Sequence, residues 1–324
     1  MNAYTSFADL YDIFMDNIPY EEWAAVLDAL IRENYVPDAG CGTFRPEELQ
    51  VVDLGCGTGV MTRLLASRGY QMTGVDLSED MLRIAWEKSL DDAADAAGWT
   101  EQDDAVDDIS QSDLERAEAA AGGSNRASLS ELETAEDAAD DAEGQSELPR
   151  SPLYICQDMR ELDLGEAVDV IVSVADCVNY LLTGEDMAQM FAAVYRQLVT
   201  GGLFVFDFNT LHKYRDVIGE ATIAESRVNC AFIWENWFDE NTRINEYNVT
   251  LFVAEPDNDE ADLSEGGGVF RRSAETHYQR GYTEEEMLQF AADAGFSVLR
   301  ILDGEDHGPA RKDSERVRIV LRRQ

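Results

Sequence analysis

VVDLGCGTGVMTRLLASRGYQMTGVDLSEDML, residues 51–82, is the stretch that decides the fold. An apolar run ends at Asp53 and Leu54, three glycines follow at alternate positions, and a second apolar run ends at Asp76. The segment between the two runs has helical periodicity and closes at Gly69. This pattern predicts a buried strand, a tight glycine loop, a helix and a second strand parallel to the first.

The same alternation of strands and helices continues after residue 150. Parallel strands joined by helical crossovers indicate an α/β fold with a doubly wound, mostly parallel, seven-stranded sheet of the Rossmann-like type. Between about Thr222 and Tyr282, aromatic and branched residues alternate with polar ones, which predicts an inserted antiparallel β cover of three strands. Thr283 and Glu286 have the spacing of a capping box, and Gly295 marks the end of the helix that they begin.

One segment departs from this pattern. Residues 91–150 contain 19 acidic residues and three arginines, are rich in Ala and Ser, and have few branched or aromatic side chains. Such a composition buries too little apolar surface to offset the entropy of ordering, so we expect a disordered acidic insertion that follows a helix ending at Leu90. The sequence therefore predicts one domain, formed by residues 1–90 and 151–324 and interrupted by this insertion.

The composition also limits the partners of the protein. A net charge of −41 over 324 residues repels nucleic acid and anionic membrane surfaces. No apolar run reaches the roughly 18 to 20 residues of a membrane span, and the acidic N-terminus does not resemble a signal peptide, which predicts a cytoplasmic protein. The five cysteines have no CxxC spacing, so we expect reduced thiols and no metal site.

Asp53 separates two classes of ligand for the glycine loop. The N-terminus of a helix suits the pyrophosphate of a dinucleotide, but a carboxylate beside the loop opposes two phosphate charges and favours a cation. S-adenosylmethionine carries an ammonium and a sulfonium group and no phosphate. Asp76, 23 residues later, can accept hydrogen bonds from the ribose hydroxyls of either ligand. The two acids and the GxGxG spacing together favour S-adenosylmethionine.

Four segments resemble motifs of the class I S-adenosylmethionine-dependent methyltransferases: VVDLGCGTG, GVDLSEDML, CQDMREL and SVADCVNYL. The resemblance implies that the first segment cradles the methionine portion of S-adenosyl-L-methionine, that Asp76 binds its ribose, and that Leu77 flanks its adenine. It also implies that Asp158 contacts the adenine amino group beside the Met159 backbone, and that the fourth segment lines the methyl-transfer site. The implied cofactor-binding residues are Asp53, Gly55, Cys56, Gly57, Gly59, Asp76, Leu77, Met81, Asp158, Met159 and Asp176.

The N-terminal YTSFADLYD, residues 4–12, is similar to segments of methyltransferases that act on small molecules, and the aminosugar N-methyltransferases resemble the chain most. This resemblance implies that two tyrosines close over the cofactor and that the acceptor is a small molecule methylated on N or O by in-line displacement. His277 is either a general base or an ordinary strand histidine. The predicted catalytic residues are His277, Tyr4, Tyr11, Asn179 and Tyr180. The sequence leaves a monomer and a homodimer equally open.

Three other functions would share parts of this sequence pattern. A nicotinamide-dependent oxidoreductase also combines a strand, a glycine loop, a helix and an acid, but Asp53 and the CQDMREL segment disfavour it. A non-catalytic protein would bind S-adenosylmethionine without transferring its methyl group. A nucleic-acid methyltransferase would need a basic face, which the negative charge of the chain opposes.

Overall fold

Eleven strands and five α-helices are found in the computed structural model, which describes residues 11, 12, 15, 18–36, 44–97, 151–255 and 267–324. The predicted site residue Tyr4 and the acidic residues 98–150 lie outside the described residues. The strands are β1 Gln50–Leu54, β2 Gln71–Asp76, β3 Leu153–Cys156, β4 Val168–Ser173, β5 Leu198–Asn209, β6 Thr222–Ser226, β7 Cys230–Asp239, β8 Ile244–Ala254, β9 Phe270–Arg280, β10 Phe296–Asp303 and β11 Arg316–Arg323. The helices are α1 Tyr20–Asn34, α2 Val60–Ala66, α3 Glu79–Ala97, α4 Gly184–Gln197 and α5 Glu284–Ala294.

Seven of the strands form one twisted sheet in the order β10-β11-β5-β4-β1-β2-β3. Strands β1 to β5 are parallel, and β11 runs antiparallel to both β5 and β10. The predicted Rossmann-like α/β fold is confirmed. The strand order reverses at β1, whose two neighbours are β2 and β4, so a ligand crevice is expected where the glycine loop leaves β1.

The four remaining strands, β6 to β9, form the β cover, a separate antiparallel sheet. Strand β8 forms long antiparallel pairings with both β7 and β9, and Tyr247 of β8 lies opposite His277 of β9. The sequence predicted three of these strands and missed β6. This strand has only five residues, and four of them are exposed, so it carries little apolar pattern.

The helices begin and end where local chemistry requires. In α5 the Thr283 side chain accepts from the Glu286 N–H and the Glu286 carboxylate accepts from the Thr283 N–H, which confirms the capping box. Gly295 ends that helix with a φ of +98°, in the left-handed region that favours glycine. The predicted end of α3 at Leu90 is wrong, because α3 continues to Ala97 through an alanine-rich stretch of high helix propensity.

Two apolar layers enclose the large sheet. One face packs against α4 and α5 through a cluster that contains Phe191, Phe204 and Phe206, and the other packs against α1 and α2 through Trp23 and Leu65. None of the described helices is both long and apolar enough to cross a membrane. The four cysteines in the described part of the chain are free thiols.

Candidate active site

A cavity of about 910 Å³ opens at the carboxyl ends of the parallel strands, between the glycine loop and the β cover. Gly55 and Asp76 line it at the ends of β1 and β2, and Asp176 lines it after β4. His277 and Tyr247 line it from the β cover. The cavity therefore joins the predicted cofactor loop to the predicted acceptor region in one continuous space.

Backbone hydrogen bonds fix the glycine loop to β2. The Gly55 and Cys56 N–H groups both donate to the Val75 carbonyl, at 2.7 and 3.1 Å. Gly55 is required by packing, because a Cβ there would lie 2.7 Å from the Cys177 Cβ. Gly57 has a φ of +54°, and a Cβ added to it would meet no atom within 4 Å. Gly57 therefore presents bare backbone to open space in the cavity.

Asp76 holds the same loop through its carboxylate. It accepts from the Gly57 N–H and from the Ser78 N–H, both at 2.9 Å. Burial raises the pKa of Asp76, while the backbone N–H donors oppose that shift. Two N–H bonds leave about half of the carboxylate's acceptor sites for a ligand. Asp76 is therefore placed to bind a pair of hydroxyl groups, as its predicted ribose role requires.

The predicted adenine-side residues line the same end of the cavity. Leu77, Met81, Asp158 and Met159 are all on its wall. Met81 is buried, and Leu77 is 65% exposed, so an adenine lying on Leu77 would cover an apolar side chain that is otherwise in water. Arg160 binds the Asp158 carboxylate at 2.6 Å, and this hydrogen bonding lowers the pKa of Asp158.

The cavity wall does not include three of the predicted cofactor ligands, Asp53, Cys56 and Gly59. The Thr62 hydroxyl donates to the Asp53 carboxylate at 2.6 Å, so this carboxylate binds the first turn of α2 to the end of β1. Cys56 is buried, and a Cβ on Gly59 would lie 2.7 Å from the Tyr154 hydroxyl. The prediction that Asp53 faces the ligand is therefore corrected: the carboxylate points into the α2 interface.

A buried polar network occupies the other end of the cavity. Arg316, at the start of β11, donates to Asp176 at 2.6 Å and to Asp207 at 2.8 Å. Gln279 of the β cover donates to the second Asp176 oxygen at 2.8 Å and accepts from the Tyr214 hydroxyl at 2.7 Å. The Asp176 backbone has a φ of +54°, which a non-glycine residue adopts at a cost. These contacts hold Asp176 at the cavity wall in that conformation.

Sequence reasoning found Asp176 but missed Arg316 and Gln279. The signal available was the alternation of Arg316 and Arg318 with apolar residues in the first half of β11, which places both guanidinium groups on one buried face. Gln279 carries no comparable signal, because a glutamine on a cover strand is ordinary until its partner is known.

Asn179, a predicted catalytic residue, does not reach the cavity. It is fully buried, and its amide donates to the Asn209 and Arg280 carbonyls at 2.9 and 2.8 Å while its oxygen accepts from the Asn209 N–H. All of its strong hydrogen-bonding groups are therefore used to join the end of β5 to the end of β9. The catalytic assignment of Asn179 is corrected to a structural one.

Tyr180 and His277, in contrast, meet at the cavity wall. The Tyr180 hydroxyl lies 3.5 Å from His277 Nδ1, and a Glu275 carboxylate oxygen lies 3.5 Å from His277 Nε2. His277 is only 5% exposed, so its ring is held between the two groups. An imidazole beside a carboxylate that is largely shielded from water has the arrangement expected of a general base.

Tyr11 and Asp12 bring the N-terminal segment to the same place. Tyr11 packs against Met81 of α3 and also against the apolar cluster of the β cover. Burial, followed by interaction with Tyr20, raises the pKa of Tyr11 well above its usual value, so its hydroxyl stays neutral. Asp12 accepts from the Thr58 hydroxyl of the glycine loop at 2.7 Å and forms an ion pair with Lys88. The predicted position of Tyr11 over the cofactor cavity agrees with these contacts.

Comparisons with known proteins point to one class. The "Methyltransferase domain" family model matches residues 51–114, which include the glycine loop and Asp76. The YqeM protein of Bacillus subtilis (strain 168), which carries a provisional methyltransferase name, is 25% identical over 92% of this chain and 88% of its own length. With the fold and the geometry of the site, these matches define the chain as an S-adenosylmethionine-dependent methyltransferase.

Two solved structures share the fold over almost their whole length. An S-adenosylmethionine-dependent methyltransferase from Clostridium acetobutylicum ATCC 824 has a TM-score of 0.67 and 22% identity, and covers 99% of both chains. CalS10, an amino pentose methyltransferase from Micromonospora echinaspora solved with S-adenosylmethionine bound, has a TM-score of 0.59 and 16% identity. It covers 100% of this chain and 99% of its own.

Proposed function

We propose that the acceptor of this methyltransferase is a small molecule, methylated on a nitrogen or oxygen atom inside the cavity between the glycine loop and the β cover. The observation that carries the proposal is the continuity of that cavity from Gly55 and Asp76 to His277. Its volume of about 910 Å³ lies near the upper end of the range of roughly 300 to 1,000 Å³ for small-molecule sites. A cofactor and a small acceptor fit it together, whereas a folded macromolecule would have to insert a side chain or base.

The residues on the cavity wall fit S-adenosylmethionine. Asp76 has free acceptor sites for the ribose, Gly57 offers backbone without a Cβ, and Asp176 offers a carboxylate for the ammonium group. When bound, the cofactor supplies a methyl group on a sulfonium, an already activated leaving group. The protein then has to align the acceptor and exclude water, which the β cover does by closing the cavity.

His277 is the proposed proton acceptor. With the cofactor bound, an amine or hydroxyl acceptor would receive the methyl group at its lone pair. The acceptor atom then carries an extra proton, which His277 takes, and Glu275 stabilises the imidazolium at 3.5 Å. Tyr180, on the other ring nitrogen, orients the imidazole. This arrangement supports amine and hydroxyl acceptors alike.

CalS10 is an amino pentose methyltransferase, which suggests the acceptors to test first. Purified protein would be incubated with methyl-labelled S-adenosylmethionine and two panels, small amines (aminosugars among them) and the matching hydroxyl compounds. We expect label in a product that passes a small-pore filter and depends on the added acceptor. Label found only on protein or nucleic acid would contradict the small-molecule proposal.

The role of His277 can be tested with the acceptor so found. His277→Gln should lower turnover about 100-fold and leave the affinity for S-adenosylhomocysteine unchanged, because a general base contributes roughly that factor. Tyr278→Phe is the matched control, since Tyr278 is the next residue on β9 and is 44% exposed on the outer face of the β cover. A loss below about threefold in His277→Gln would assign His277 to packing.

A further inference from the structure

Lys213 is a cation on the cavity wall that the chemistry described so far does not use. It follows the end of β5, where the chain enters a short π-helix, Lys213–Ile218. The Lys213 N–H donates to the Thr210 hydroxyl at 3.2 Å, which fixes the start of this helix. Lys213 lines the same cavity as Asp176, Tyr247 and His277.

The two arginines on the cavity wall, unlike Lys213, have carboxylate partners. Arg160 pairs with Asp158 at 2.6 Å and with Asp186 at 2.7 Å. Arg316 pairs with Asp176 at 2.6 Å and with Asp207 at 2.8 Å. Within the described ranges, no carboxylate comes within ion-pair distance of the Lys213 ammonium; Asp176, Glu305 and Glu315 act on it only from farther away.

The surroundings of Lys213 raise the free-energy cost of keeping its ammonium group charged. Burial, followed by repulsion from Arg316, lowers the pKa of Lys213. A partly buried charge with no partner loses hydration without recovering it in an ion pair. A ligand that brings a negative charge to Lys213 recovers that energy, so this part of the cavity favours an anionic ligand over a neutral one of the same shape.

The position of Lys213 assigns it to the acceptor side of the cavity. In the sheet order β5-β4-β1-β2, Lys213 follows β5 and Asp76 ends β2, so three strand spacings, about 14 Å, separate them. Tyr214 and Ile218 of the π-helix belong to the apolar cluster of the β cover, together with Tyr247 and Val249. The π-helix is therefore an extension of the β cover, and lies on the far side of Asp176 from the ribose site.

We propose that Lys213 binds an anionic group, a carboxylate or a phosphate, carried by the methyl acceptor. The proposal rests on the proposed function, because it names a property of the small molecule that enters the same cavity. Lys213 thereby selects anionic acceptors and sets their orientation, while His277 takes the proton from the methylated atom.

The test uses the full-length protein and a small-metabolite extract. An anion-exchange column at pH 8 divides the extract into a retained fraction and a flow-through fraction, and each is incubated with methyl-labelled S-adenosylmethionine. We expect the wild type to label a product in the retained fraction. Phosphatase treatment of that fraction should abolish labelling if the anionic group is a phosphate, and amidation of carboxyl groups should abolish it if the group is a carboxylate.

Variants then assign the recognition to Lys213. Lys213→Met should lower kcat/KM for the retained acceptor about 10- to 100-fold, mainly through KM, which is the scale of a charge-assisted hydrogen bond. Lys213→Arg should restore part of the loss. Arg215→Met is the matched control, because it removes a positive charge from the same π-helix but at an exposed position outside the cavity lining.

The outcomes separate this inference from the proposed function. Labelling of the flow-through fraction alone would overturn the role of Lys213 and keep the small-molecule function, whereas no labelling in either fraction would overturn both. The cofactor's own carboxylate is tested with S-adenosylhomocysteine and methylthioadenosine, which lacks the amino-acid portion. If Lys213→Met weakened binding of the first and spared the second, Lys213 would be a cofactor residue and the inference would be wrong.

Discussion

Replacing Asp53 by asparagine should stabilise the protein at neutral pH. The Asp53 carboxylate is 2% exposed beneath α2, and within hydrogen-bond distance it accepts from Thr62 but has no cationic partner among the described residues. Burial, with a smaller contribution from the charge of Asp76, raises the pKa of Asp53 to about 6, well above the usual value for an aspartate. The folded state therefore binds a proton more tightly than the unfolded state does.

The sign of the effect follows from this order of pKa values. Between about pH 4 and pH 6 the folded state holds the proton that the unfolded state has lost, so the free energy of unfolding falls as the pH rises through that window. A pKa difference of about two units corresponds to about 3 kcal/mol once both states are ionised. In Asp53→Asn the side chain stays neutral and its amide oxygen can still accept from Thr62. The variant should therefore be up to about 3 kcal/mol more stable at pH 7.

Urea unfolding of both proteins between pH 5 and pH 8, followed by tryptophan fluorescence, measures the difference in stability at each pH. The series stops at pH 5 because the isoelectric point, about 4.1, promotes precipitation. About 1.5 kcal/mol of the difference should develop between pH 5 and pH 8. A difference that does not change with pH, or an Asp53→Asn variant that is less stable at pH 8, would show that the charged carboxylate is favourable at the start of α2.

Asp207→Asn is a control that should change the stability of the fold in the opposite direction. Burial alone would raise the pKa of Asp207, but Arg316 and Arg318 outweigh it, and the pKa lies below the usual value. Asp207→Asn leaves two buried guanidinium groups without this charge, so it should destabilise the protein by about 3 to 5 kcal/mol at pH 7. Asp207 has cations beside it and Asp53 has none among the described residues, so the two substitutions should shift stability in opposite directions.

Three further predictions concern the cofactor and the insertion. Asp76→Ala should weaken S-adenosylmethionine binding about 10- to 100-fold in calorimetry, because ribose hydrogen bonds are lost; unchanged affinity would remove Asp76 from the site. Gly57→Ala should weaken binding at least 10-fold by placing a methyl group in the cavity. The control is Gly201→Ala, which should not weaken binding, because Gly201 also has a positive φ and open surroundings but does not line the cavity. Replacing residues 98–148 by a short Gly/Ser linker should leave cofactor affinity within about twofold, since loop closure costs little and α3 and β3 remain intact; a large loss in a folded variant would give the insertion a role at the site.

Local spacing accounts for what the sequence predicted well. The glycine loop, Asp76 and the capping box of α5 depend on residues within a few positions of one another or on one βαβ unit. Asp53 was assigned to the ligand because it adjoins the loop, yet a parallel strand is buried on both faces. Spacing along β1 does not tell which face a polar residue occupies.

Long-range contacts account for what the sequence could not predict. Asn179 stands in a segment that resembles a methyl-transfer motif, but its partners come from β5 and β9, 30 and 101 residues away. Arg316 reaches Asp176 across 140 residues. Such pairs exist only after the sheet order and the position of the β cover are fixed, and neither follows from the periodicity of a single segment.

The contacts of Tyr11 and Asp12 have a consequence for the order of events during turnover. Tyr11 touches both α3 and the β cover, while Asp12 is tied to the glycine loop and to Lys88, so this short segment bridges the two ligand regions. If the bridge has to loosen before the spent cofactor leaves, release of that product is slower than methyl transfer. We therefore expect a rapid first turnover followed by a slower steady rate, with the nucleoside product leaving last.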